Sequence, residues 1–181
     1  MPARAGPVAE LGPACGVRRI TRRDEARESL ALLLEAAAWT AARGRPIWPS
    51  DAFSLPAQIR LARAGELIGG FADLRMTATM QLQDRDPVHW PHDAPGEALY
   101  VHKLAVRRAN AGQGWTERLL DWASAEARRA GAAYLRLDTD PATPLPDLYR
   151  RAGFVAAPSG PAWLGGRYVL RMQRPLPADG R

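Results

Sequence analysis

The chain has 181 residues, 46% of them hydrophobic, enough for one globular domain with a sizeable core. Cys15, the single cysteine, excludes an internal disulfide and fits a reducing cytoplasm, and the longest apolar run, Leu30 to Ala38, is too short to span a bilayer. The formal charge is +6, but Lys103 is the only lysine and the arginines are scattered in pairs rather than gathered in a stripe, so a small polyanionic ligand accounts for them as well as DNA does.

Residues 1–16, rich in Pro, Gly and Ala, read as a loose N-terminal arm. Val17 to Ile20 is a short strand candidate. Thr21 is placed to cap a helix running to about Ala42, with Asp24 and Glu25 in its first turn and Gly44 closing it. A loop holding Trp48 and Phe53 leads to a helical stretch from Ala57 to Ala64. Glu66 to Leu74 and Met76 to Gln83 read as strands, followed by a long Pro-rich loop. Ala98 to Val106 is a strand, and Trp115 to Ala130 a helix ended by Gly131. In that helix Trp115, Leu119, Leu120, Trp122, Ala123 and Ala127 share one side at helical spacing. Ala133 to Leu137 is a strand, so Ala98 to Leu137 forms a crossover between parallel strands. A short helix, Pro146 to Ala152, stops at Gly153. Phe154 to Ala156 and Arg167 to Met172 complete the sheet. The whole is one mixed α/β unit over 17–174, with 175–181 as a tail.

The junction "VHKLAVRRANAGQGWTERLL", Val101 to Leu120, carries the first chemical signal. A glycine-bearing turn ahead of a helix start offers unpaired N–H groups at the positive end of a helix dipole, a seat for phosphate. A Walker loop is excluded because Trp115, not lysine, follows Gly114. A dinucleotide fingerprint would need a third glycine where Glu117 stands and no insert between strand and first glycine, although Asp138 ends the next strand as that fold's ribose-binding acid would.

A third pattern fits. "LAV" (Leu104 to Val106), "AGQGWT" (Ala111 to Thr116), Leu119-Leu120, "YLRLD" (Tyr134 to Asp138) and "LYRRAGF" (Leu148 to Phe154) come in order. The set resembles the GNAT superfamily of acyl-CoA-dependent N-acetyltransferases. The motif's Gln or Arg is Ala111 here, leaving Arg107 or Arg108 to supply charge. Its last small residue is Thr116, and the asparagine often found before the second signature is replaced near Ala142. The resemblance implies a mixed-sheet acetyltransferase fold with acetyl-CoA as co-substrate and no metal. It further implies pantetheine along Leu104, Ala105 and Val106, and the pyrophosphate on Ala111, Gly112, Gln113, Gly114, Trp115 and Thr116. Transfer of acetyl to a primary amine of a small molecule or peptide follows from it, with no specific nucleic acid, no membrane, and a homodimer left open. A non-catalytic acyl-CoA-binding module is the alternative.

Such transfer needs a base for the ammonium proton, an N–H donor for the thioester oxygen, and a proton for the leaving thiolate. Tyr149 matches the family tyrosine beside the sulfur, a general acid. His102 is the candidate base, because an ordinary histidine is largely neutral near pH 7. Strand alternation places it on the face of Tyr100 and Leu104, with Lys103 turned away. Glu97 and water are the other candidates. His89, His92 and Asp93 would be metal ligands only if the loop brought them together, which Pro91 opposes. Trp39, Trp48, Phe53 and Trp90 are candidates to line an acceptor pocket.

Overall fold

A computed structural model describes residues 16–49 and 51–177; most of the N-terminal arm, with Cys15, lies outside the described residues. The elements in chain order are β1 (Gly16–Arg19), α1 (Arg23–Ala41), α2 (Leu55–Ala64), β2 (Leu67–Ala72), β3 (Arg75–Gln83), β4 (Ala98–Val106), α3 (Trp115–Arg129), β5 (Tyr134–Thr139), α4 (Leu145–Arg151), β6 (Val155–Leu164) and β7 (Arg167–Pro175). They build one seven-stranded sheet of order β1-β2-β3-β4-β5-β7-β6, antiparallel except for the β4–β5 pair.

Each face of the sheet is covered for a reason readable in side chains. On one face, Leu119, Leu120, Ala123 and Ala127 of α3 pack with Trp115 onto Ile68, Met80, Val101, Leu135 and Leu137. Fully burying a leucine contributes about 1.5–3 kcal/mol, so this stripe holds α3 to the sheet. On the other face, Leu32, Leu33 and Ala26 of α1 meet Ala62 of α2, Leu67, Phe71, Met76 and Ala105. Buried Ser29 of α1 and Thr79 of β3 satisfy each other at 2.8 Å.

Several boundaries differ from the sequence reading. Arg22, not Thr21, is the cap residue of α1, and it makes no side-chain cap bond. The second helix starts earlier, because the Ser54 hydroxyl accepts from the Ala57 N–H and Pro56 is tolerated in its first turn. The sixth strand runs ten residues instead of three. Its Pro158, Gly160 and Pro161 look like loop chemistry, but β6 is an edge strand whose register slips between Ala156 and Pro161, where proline costs no ladder bond. The last strand also runs past Met172 to Pro175, and Leu176 beyond it is buried and donates its N–H to the Ala133 carbonyl.

Candidate active site

Strands β4 and β5 pair only at Ala98, Leu99 and Tyr100 against Tyr134, Leu135 and Arg136. Past Tyr100 they part, and a cleft of about 650 Å³ opens between 101–106 on one wall and 137–140 on the other. The β5-facing edge of that stretch of β4 therefore lacks a strand partner among the described residues. It presents backbone donors and acceptors to whatever enters.

Within this wall β4 carries a bulge. Thr79 faces Ala105 while Gln81 faces His102, so β4 spends one residue more than β3. Lys103 takes it up with φ +51°, an uncommon conformation for a residue with a Cβ. The bulge reverses the alternation. His102 stays on the face of Tyr100, but Leu104 and Val106 join the α3-side core and Ala105 faces α1. The expected common face of His102 and Leu104 is thus corrected. So is the expected direction of Lys103, which lines the cleft beside His102.

Beyond β4 the chain makes a short 3-10 turn, Arg108–Asn110, and then the glycine turn into α3. Gly112 and Gly114 sit at φ +77° and +76°, and an added Cβ at either meets nothing within 4 Å. The N–H groups of Gly112, Gly114, Trp115 and Thr116 make no backbone hydrogen bond among the described residues. Trp115 sends its side chain into the core and contributes only its amide, whereas Thr116 borders the cleft. Ala111 and Gln113 are exposed, and Gln113 accepts from the Asn110 side chain at 3.1 Å. Of the two candidate arginines, Arg107 is committed elsewhere. It pairs with Glu35 at 3.1 Å and bonds the Met76 carbonyl. Arg108 lies 3.9 Å over the Trp39 ring and lines the cleft, so it is the arginine available to an anion there.

Tyr149 of α4 is buried with its ring edge-on to Phe154, and it faces the cleft. Burial, with the nearby Asp138 charge, pushes its hydroxyl up to about 12, so it carries its proton at neutral pH. His102 stands between two carboxylates, Nε2 at 3.6 Å from Asp86 and Nδ1 at 4.0 Å from Asp138. Burial holds it below its ordinary value, against the pull of Asp86 and Asp138. It therefore rests neutral, yet an imidazolium formed there would meet two negative charges. His89 completes the group, its Nδ1–H donating to Asp86 at 3.0 Å and lying 3.8 Å from Asp138. That bond to Asp86, helped by Asp138, raises His89 above the usual histidine range despite its burial. Burial would raise Asp86, but the His89 ring and backbone bonds and the His102 charge outweigh it and leave the carboxyl low.

The sequence reading had not joined these residues. Asp86 and His89 come from the Pro-rich loop and Asp138 from the end of β5. Glu97, by contrast, accepts from the Ala94 N–H and pairs with Arg136 at 2.8 Å, outside the cleft. The same backbone bond, then Arg136, lowers its carboxyl, as suits an ion pair and not a base. His92 is exposed, and Asp93 is engaged by Arg136 and by the Tyr100 hydroxyl at 2.5 Å, so the three loop residues considered for a metal stay apart. Asp86, His102 and Asp138 do gather donor atoms within 4.8 Å. However, different nitrogens of His102 face the two carboxylates, an arrangement for passing protons more than for sharing an ion. Trp39 and Trp48 line the cleft, and Phe53 packs edge-on to Trp48 at 5.4 Å. Trp90 is instead buried with Ala98, Tyr100 and Ala157.

Known proteins share this fold. Among solved structures, an acetyltransferase of the GNAT family from Listeria monocytogenes superposes with a TM-score of 0.71 at 18% identity, covering 88% of this chain and 94% of that one. YncA from Salmonella typhimurium, solved with acetyl-CoA, gives 0.69 at 18% identity over 93% and 98%. PaiA N-acetyltransferase from Thermoplasma acidophilum, solved with coenzyme A, gives 0.69 at 14% over 88% and 98%. In sequence, the uncharacterized N-acetyltransferase YesJ of Bacillus subtilis is 28% identical over 141 residues, 72% of this chain and 77% of YesJ. No helix among the described residues is long and apolar enough to cross a membrane. The family model for acetyltransferases matches residues 33–154, from α1 through the splayed strands and glycine turn to Phe154, and by that match the chain belongs to the Acetyltransferase (GNAT) family.

Proposed function

We propose that the protein is an N-acetyltransferase that moves an acetyl group directly from acetyl-CoA to a primary amine of a small molecule or peptide. One observation carries this reading: the cleft between the parted strands has an anion seat at one end and a paired acid and base on its walls. The seat fits a pyrophosphate. Gly112 and Gly114 leave open space where a Cβ would stand, free amides surround it, and Arg108 adds charge. That YncA and PaiA, of the same fold, hold acetyl-CoA and coenzyme A supports the same ligand here.

Acetyl-CoA, when bound, supplies the activated thioester. The unpaired edge of 104–106 aligns the pantetheine arm and offers an N–H to the thioester oxygen as it gains charge. His102 takes a proton from the acceptor ammonium, and the resulting imidazolium is held between Asp86 and Asp138. The new C–N bond forms as the C–S bond breaks, Tyr149 gives its proton to the departing thiolate, and the second proton shed by the nitrogen as it becomes an amide restores the Tyr149 hydroxyl. Residues of the α1–α2 region, Trp39 and Trp48, wall the acceptor side.

The test is a thiol-release assay with acetyl-CoA against a panel of primary amines, with products weighed by mass spectrometry. The reading requires free CoA and N-acetylated amine in equal amounts for at least one acceptor class. Tight acetyl-CoA binding with no product from any amine would favour the non-catalytic module.

A further inference from the structure

We infer that the acceptor is a small molecule of the amino-acid class, whose amine is presented to His102 while its own carboxylate is held by Lys103 and Arg167. This deepens the proposed transferase reading and rests on it. Lys103 on the bulge and Arg167 at the start of β7 border the cleft with no carboxylate within 4 Å among the described residues; Arg43, Arg45 and Arg108 share that lack, but Arg43 and Arg108 lie over the Trp39 ring, on the α1 side. Several other arginines of the domain do have a carboxylate partner. Arg18 pairs with Glu25, Arg19 with Glu126, Arg107 with Glu35, Arg136 with Asp93 and Arg174 with Asp121.

The backbone is distorted to put Lys103 there. Regular alternation would turn it to the face opposite His102, but the bulge at φ +51° brings consecutive base and cation to one cleft. Such a conformation is strained in a residue with a Cβ and clusters at functional sites. Lys103 is half-buried with its Nζ 5.4 Å from the Trp48 ring and 5.9 Å from Phe53. Burial and the Arg167 charge disfavour its ammonium form more than the Asp138 charge favours it, a tension that an anion between the two side chains would relieve.

Arg167 is also placed deliberately. The β6–β7 turn closes onto the loop before β4, where Gly165 at φ +57° comes so near that an added Cβ would lie 2.8 Å from Val88. Cofactor phosphate is not the anion meant for this pair. Lys103 is three residues before the end of β4, about 10 Å at ~3.3 Å per residue, and the phosphate turn lies beyond that end. The cleft thus orders its charges: carboxylates and histidines where an ammonium loses its proton, and a cation pair beside them.

The experiment compares matched acceptor sets: α-, β- and γ-amino acids, their primary amides, and the corresponding decarboxylated amines. The free acid should exceed both neutral partners at least tenfold in kcat/KM. Lys103→Gln and Arg167→Gln should each raise KM for the acid about tenfold with the KM for acetyl-CoA unchanged, and Lys103→Arg should retain most of the preference. Equal rates on acid, amide and amine, or equal losses on all three in Lys103→Gln, would overturn the inference while leaving the transferase intact. If none of these sets is acetylated while another primary amine is, the inference is overturned and the transferase stands; if no amine of any class is acetylated, the transferase reading fails. Calorimetry with N-acetyl amino acids and their amides then decides the carboxylate site alone. Acid-selective binding that Lys103→Gln abolishes supports it, and equal or absent binding overturns it.

Discussion

Replacing Gly114 by aspartate should abolish acetyl-CoA binding in a protein that still folds. Gly114 caps α3 at φ +76°, and a side chain there enters open space instead of a neighbour. The cost to the fold is therefore the left-handed backbone alone, about 1–2 kcal/mol. At ~2–4 °C per kcal/mol for a domain of this size, Tm falls by roughly 2–8 °C. The cost to binding is larger. A carboxylate about 4 Å from one phosphate charge, at an effective dielectric near 20, is repelled by ~4 kcal/mol, roughly a thousandfold in Kd. Acetyl-CoA at ~100 times its wild-type Kd stabilises by about 2.7 kcal/mol, a thermal shift of roughly 5–11 °C. At the same concentration the variant would be under one-fifth saturated and shift by less than about 1 °C. Gly131→Asp is the control, with the same backbone cost at φ +75° and equally open surroundings at the far end of α3. Differential scanning fluorimetry with and without acetyl-CoA reads all three. A folded Gly114→Asp protein that keeps the wild-type shift would refute the phosphate seat.

Tyr149→Phe keeps the ring against Phe154 but removes the proton for the thiolate, so kcat should fall ~10²–10⁴-fold with acetyl-CoA affinity nearly unchanged, by steady-state kinetics and calorimetry. Because burial lowers His102, its base form persists below the ordinary histidine range. The acid limb of kcat/KM should then lie below about pH 6.5, activity being lost as pH falls through it. His102→Gln should be most impaired where the acceptor is still an ammonium and should recover as pH rises; an unchanged pH profile would remove His102 from the chemistry. Gly165→Val should push the β6–β7 turn off Val88, lowering Tm and weakening acceptor binding, with acetyl-CoA binding retained. Duplex DNA should bind weakly, without sequence preference, and less so as salt rises; tight selective binding at physiological salt would point to a different ligand.

The ordered set from Ala98 to Phe154 was legible because its signals are local. An apolar strand, a glycine turn and a helix with one apolar stripe each specify their own geometry. What the strand does at Lys103 was not legible. Nothing in "YVHKLAV" marks a left-handed residue, and one extra residue reverses every side chain after it. That single bulge explains both the misplaced Leu104 and the overlooked Lys103. The company of His102 was hidden for another reason. Asp86 and His89 come from a Pro-rich loop with no period to read, and their approach to Asp138 is a tertiary event between distant segments. Position alone misled at Glu97, whose carboxylate is bound to the Ala94 N–H and to Arg136. In β6, prolines that signal a loop are tolerated because the strand is at the edge.

The central claim is that the parted strands β4 and β5 seat acetyl-CoA with its thioester between Tyr149 and His102. A crystal structure of the protein with coenzyme A tests it most directly. The account requires pyrophosphate oxygens within hydrogen-bond distance of the amides at Gly112, Gly114 and Thr116, pantetheine along 104–106, and the sulfur next to the Tyr149 hydroxyl. Coenzyme A bound elsewhere, or seated with its sulfur remote from Tyr149 and His102, would contradict it.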